Sequence, residues 1–130
     1  MMPDYFRNTV MKKLSNGDFD CTKEFTVSMF SGKHKLLILW ILINDGPHGF
    51  SYFMKNLKGI SKKVLSNQLN ELMADQIVYK REYLTGKVKH TEYQLTDIGE
   101  TLIPIIVALN DWGENRLKQV TLVKTFNNDL

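Results

Sequence analysis

Between Ser61 and Leu95 the hydrophobic period of the chain changes once, and that change constrains the fold more than any other feature. Leu65, Leu69 and Leu72 recur at i, i+4 and i+7, with Val64 and Met73 in support, which is the spacing of a helix with one apolar side. Ser61 stands where such a helix needs a cap. After Gln76 the period falls to two. Residues 77–84 read as a strand, Thr85-Gly86-Lys87 as a turn, and residues 88–95 as the returning strand.

Upstream, three further helices are expected. Thr22 precedes Phe25, Val27, Met29 and Phe30, a short amphipathic stretch that Ser31-Gly32 ends. A second helix should run from about Lys33 to Asn44. It is apolar nearly all round, as a central helix is, and Asn44-Asp45-Gly46-Pro47 stops it. A third, of about two turns, should cover residues 50–57 with Phe50, Phe53, Met54 and Leu57 inward. Lys58-Gly59-Ile60 then turns the chain into the helix capped by Ser61. Beyond the hairpin, Thr96-Asp97-Ile98-Gly99-Glu100 opens a long helix reaching about Leu117, with Pro104 tolerated or kinking it.

Residues 1–20 lack periodicity and read as a flexible arm with room for one short helix. Residues 21–118 form the domain, and 119–130 a C-terminal tail. The length of 130 residues suits one such domain. One cysteine excludes an intrachain disulfide and a multi-cysteine zinc site. The most apolar run, residues 36–43, is far shorter than the roughly 20 residues that span a bilayer. No secretory signal opens the chain, so a cytoplasmic location without a membrane partner is expected.

The net charge of +3 is unevenly spread. From Lys55 to His90 stand eight basic residues against Glu71, Asp75 and Glu82. The excess cations of the whole chain therefore lie in about a quarter of it, the footprint of a polyanion binder. A solvated lysine-rich face is the plainer reading of charge alone, and the architecture decides between them. Helix, turn, helix with a small polar outer face, then a basic hairpin, is a winged helix-turn-helix: an α+β fold, mainly α, with a two-stranded wing.

Such a helix fits a major groove about 12 Å wide if its apolar side is fixed and its other side free. Ser61, Lys62, Lys63, Ser66, Asn67 and Asn70 would face double-stranded DNA, with Ser51 from the preceding helix. Lysine can bond guanine or phosphate, asparagine can pair with adenine edges, and serine positions phosphate. Arg81, Lys87 and Lys89 would carry the wing onto backbone or minor groove. The same surface could instead make a winged-helix protein-interaction module that binds an acidic partner.

The chain also resembles the HxlR-type transcriptional regulators of bacteria, relatives of the MarR-type winged-helix proteins. The stretches that carry the resemblance are Gly32-Lys33-His34-Lys35-Leu36-Leu37-Ile38-Leu39-Trp40, Gly46-Pro47, Gly59-Ile60-Ser61-Lys62-Lys63-Val64-Leu65, Leu69-Asn70-Glu71-Leu72, Tyr93-Gln94-Leu95-Thr96-Asp97-Ile98-Gly99 and Asp111-Trp112-Gly113. Together they run from about Cys21 to Leu117. The resemblance implies a homodimeric regulator on an inverted-repeat operator, with the first and last helices at the dimer interface. Phe25, Ile105, Ile106, Leu109 and Trp112 are the residues expected there. Independently, the apolar positions of the last helix cover more than one face, which one small monomer would struggle to bury. Three positions depart from the family pattern: Gln76 where glycine is common, Asn70 where arginine is common, and Thr22 where proline follows the cysteine. The turn into the wing is therefore expected to differ.

Cys21 stands just before the first helix of the domain, beside Lys23. Exposed N–H dipoles and a nearby cation favour a reactive thiolate. Several family members sense oxidants or electrophiles through a cysteine at this place, so Cys21 is the candidate redox sensor, against the alternative of an idle buried thiol. His34, His48 and His90 are scattered among different elements, and no His/Asp/Glu grouping has metal spacing. There is no phosphate-binding glycine loop and no nucleophile elbow. No catalytic residue, metal or cofactor is expected, and the chain does not read as an enzyme. A small-molecule effector is compatible with the pattern.

Overall fold

The computed structural model describes residues 5–120. In chain order the elements are α1 (Asn8–Asn16), α2 (Thr22–Ser28), α3 (Lys33–Asp45), α4 (Phe50–Asn56), α5 (Lys62–Ala74), β1 (Val78–Thr85), β2 (Val88–Leu95), α6 (Asp97–Glu100) and α7 (Ile103–Lys118). α3 is the hub. It buries Ile38, Leu39, Ile41 and Leu42 and packs against α5, β2 and α7. α4 joins α5 and β2, so the helix-turn-helix closes over Phe53, Leu57, Ile60, Leu65, Leu69 and Leu72.

The strands pair antiparallel, Val78 opposite Leu95 through to Thr85 opposite Val88, around a two-residue turn of Gly86 and Lys87. His48 and Tyr93 exchange backbone hydrogen bonds (3.2 and 2.8 Å), so the segment before α4 adds a one-residue third strand at the base of the wing. Val78 and Tyr93 point from that base into the core, while the outer wing is exposed on both faces.

Three expectations need correction. The segment before residue 21 holds the one short helix it had room for, α1, but it is packed rather than a free arm, since Val10, only 3% exposed, belongs to the core. Asn16 ends that helix and Gly17 caps it. Gly17 adopts φ 67, and the amides of Gly17 and Asp18 close on Leu14 and Lys13 carbonyls. The helix expected from residue 97 to about 117 is broken at Thr101–Leu102 into α6 and α7. Pro104 cannot continue a helix but fits its first turn, so the chain restarts there. The turn into the wing keeps a left-handed residue although glycine is absent: Gln76 itself adopts φ 61. Its neighbours hold it, for the Ile77 amide donates to the Leu72 carbonyl (2.9 Å) and Thr96 Oγ1 donates to the Gln76 carbonyl (2.6 Å). Of the expected tail, residues 121–130 lie outside the described residues.

Candidate nucleic-acid interface

The apolar side of α5 is locked. Leu65, Leu69 and Leu72 are at most 1% exposed, and the Ser61 hydroxyl accepts from the Val64 amide at 3.1 Å, capping the helix. The opposite side is open. Lys62, Lys63, Ser66, Asn67 and Asn70 are all exposed. Among the described residues none of these five side chains has a hydrogen-bond or ion-pair partner. At about 100° per residue, Lys63, Asn67 and Asn70 form one stripe with Ser66 alongside, while Lys62 stands a quarter-turn round in the first turn. Ser51 is exposed in the first turn of α4.

The wing is less cationic than its composition. Arg81 faces Glu92 across the strands (3.5 Å) and lies over the Tyr83 ring at 5.1 Å. Lys89 pairs with Glu82 (3.1 Å). Lys87, in the turn, and Lys80 are exposed without such partners among the described residues. Tyr83 and His90 stack at 5.0 Å on the face that carries Arg81. Sequence reading listed the cations and missed their carboxylate partners, although the two-residue turn sets the register that puts Arg81 opposite Glu92.

Behind α5 lies a group of four charges. Arg7 reaches Glu71 (3.0 Å) and Asp75 (2.6 Å), and Lys35 reaches Glu71 (2.7 Å). Burial alone would raise the Glu71 carboxyl; the hydrogen bond and charge of Lys35, with Arg7 beside it, outweigh burial and hold it below the ordinary carboxylate range. Neither Arg7 nor Lys35 was singled out from sequence.

The expected dimer residues divide. Ile105, Leu109 and Trp112 are exposed on one side of α7, Trp112 by 72%. Shallow apolar grooves flank them, one lined by Leu36, Leu37 and Trp40 of α3. Ile106 instead turns inward and is 3% exposed, so it is a core residue. Phe25 is half-buried against Phe6 and Phe19 of its own chain, in edge-to-face contacts at 5.4 and 5.6 Å, so its expected partner-facing ring is engaged internally. Cys21 is exposed at the N-cap of α2 and borders a groove with Leu14, Phe19, Thr22 and Phe25. His34, His48 and His90 stay apart, and among the described residues no group of metal-ligating side chains forms. Among those residues no single helix is long and apolar enough to cross a membrane.

A capped helix with a locked apolar side and an open polar side, followed at once by a hairpin, defines a winged helix-turn-helix protein. The model of the HxlR-like helix-turn-helix family matches residues 29–121, and the chain belongs to that family. It is 39% identical over 101 residues to the HTH-type transcriptional regulator YdeP of Bacillus subtilis, covering 77% of each chain. It is 35% identical over 96 residues to the putative regulatory protein MalR of Fusobacterium mortiferum, covering 74% of this chain and 90% of that one. Among solved structures it is similar to the redox regulator HypR in its reduced form, with TM-score 0.68 and 36% identity over 73% of this chain and 92% of that one. The chain is a transcriptional regulator of the HxlR and MarR-like type and not an enzyme.

Proposed function

We propose that the protein is a homodimeric, sequence-specific DNA-binding regulator acting on an inverted-repeat operator. The observation that carries this reading is the row of unpartnered polar and cationic side chains along α5, opposite a side fixed to the core. α5 enters the major groove. Lys63, Asn67 and Asn70 face base edges, with Ser66 beside them, while Lys62, Ser61 and Ser51 hold phosphates. Lys87 leads the wing along the backbone, and Arg81 and Lys89 join it only by leaving their carboxylates. Two copies meet through Ile105, Leu109 and Trp112 of α7, and a two-fold helix-turn-helix dimer reads half-sites one DNA turn, on the order of 34 Å, apart. The experiment is Lys62→Ala and Asn67→Ala on a duplex selected by the wild-type chain. Both weaken binding without lowering the thermal midpoint; variants that bind like wild type would show that another face reads the DNA.

Cys21 is the proposed sensor in this dimer. Its exposure and the similarity to a redox regulator support the reading. Oxidation to a disulfide or mixed disulfide at the start of α2 would alter the spacing of the two recognition helices. A Cys21→Ser strain should lose its oxidant response on a reporter; a full response would remove the thiol from the mechanism.

A further inference from the structure

Arg7 ties the end of α2 to the end of α5 through both its backbone and its side chain. Its backbone amide donates to Asp75 Oδ1 (2.9 Å) and its Nε lies 2.6 Å from Asp75 Oδ2 in ion contact. Nη1 donates to Glu71 Oε1 (3.0 Å) and Nη2 to the Ser28 carbonyl at the end of α2 (2.8 Å). Asp75 is the C-cap of α5, and its side chain has no solvent exposure. Gln76, next in the chain, is the left-handed residue that turns the recognition helix into the wing. Thr96 holds the far side of that corner: its hydroxyl donates to the Gln76 carbonyl and its amide donates to the Ile77 carbonyl (3.0 Å).

We infer that Arg7 is a positioning residue for DNA recognition, fixing the corner between α5 and the wing so that both meet one duplex in register. This rests on the DNA-binding reading above. Two physical points favour it over general stabilisation. Apolar replacement of a buried ion cluster is often neutral or stabilising, so charge is a poor choice where only cohesion is needed. What the fork of a guanidinium supplies is direction, and here it joins three partners in two elements. Arg7 also precedes residues 29–121, the span that the family model matches, while Glu71 and Asp75 lie within it. The N-terminal segment is thus tied to a helix within the matched span.

The test compares the full-length wild-type chain with Arg7→Gln, Arg7→Lys and Arg7→Gln/Asp75→Asn. The double variant removes the charge that Arg7→Gln alone would leave buried. The first readout is the ratio of affinities for two duplexes of equal length, one that the wild type selects from a random-sequence pool and one unselected. Each is measured well below that variant's own melting midpoint. Arg7→Gln and the double variant should lower the ratio about tenfold, and Arg7→Lys should recover only part of it. A wild-type ratio in both Arg7→Gln and the double variant would overturn the inference. The second readout needs no DNA: amide exchange of Ile77 and Thr96 relative to the α3 amides. Arg7→Gln should speed the corner amides selectively, by about tenfold, and an unchanged relative rate would overturn the clamp. If the wild type selects no duplex, the DNA-binding reading fails and the positioning role in recognition falls with it, while the exchange result still decides whether Arg7 clamps the corner.

Discussion

Arg81 and Glu92 stand directly opposite each other on β1 and β2, with the guanidinium 3.5 Å from the carboxylate. The largest cation of the wing is thus neutralised before any duplex approaches. Both groups are near solvent, so the pair itself contributes little to stability. Its consequence is for binding, because a cation that must first leave a carboxylate releases fewer counterions in net terms. Glu92→Gln should therefore raise affinity for unselected duplex and steepen the log–log salt slope by roughly 1. An affinity titration at several salt concentrations reads this directly, and an unchanged slope would mean that Arg81 never reaches phosphate.

Gly99 tests the junction between the wing and the last helices. A Cβ there would lie 2.1 Å from the Ile77 carbonyl oxygen and 3.3 Å from a Leu95 methyl. Backbone cannot yield as a side-chain tip can. Gly99→Ala should cost about 1–3 kcal/mol, as overpacking does, seen in the denaturant midpoint. Wild-type stability in this variant would contradict the close approach of α6 to the Ile77 carbonyl.

Acid should weaken the protein through Glu71. Its folded carboxyl lies below the ordinary value of 4.5, because Lys35 and Arg7 favour its charged form. A lowered folded value stabilises the native state fully above the unfolded value, and the gain is lost as pH falls through the folded one. The thermal midpoint should drop on acidification below about pH 4.5, and Glu71→Gln should flatten that limb. The glutamine variant should also lower the midpoint at neutral pH, since Lys35, with its side chain only 4% exposed, loses its anion.

The outer side of α7 predicts the oligomeric state. Leu109 is 49% exposed between Ile105 and Trp112. Leu109→Asp should put a carboxylate into the proposed dimer contact and, if that contact holds the dimer, shift sedimentation to folded monomer with the secondary structure retained. A variant that stays dimeric would move the interface elsewhere.

The helix-turn-helix and hairpin were legible because burial there follows a single period: Leu65, Leu69 and Leu72 at helical spacing, then alternation into the wing. The open polar side of α5 was legible for the same reason, being what the leucines leave over. What sequence could not show depended on contacts between distant segments. Arg7 meets Asp75 across 68 positions, and no local pattern marks either residue as a partner. Phe25 looked available to a second copy until Phe6 and Phe19 were brought to it by the N-terminal helix. Ile106 and Ile105 are adjacent in an apolar run, and only the packing of α7 on α3 decides which turns inward. Gln76 shows the opposite limit: a glycine-like turn persists with another residue when hydrogen bonds on both sides hold it.

The most direct measurement is fluorescence anisotropy of the reduced protein on the intergenic DNA upstream of its own gene, with an excess of random competitor. A transcriptional regulator with the open face of α5 described above should keep tight binding under competition and lose it steeply as salt is raised. Complete loss to competitor there, together with failure to enrich any duplex from a random pool, would contradict sequence-specific recognition and leave the basic face to an acidic protein partner.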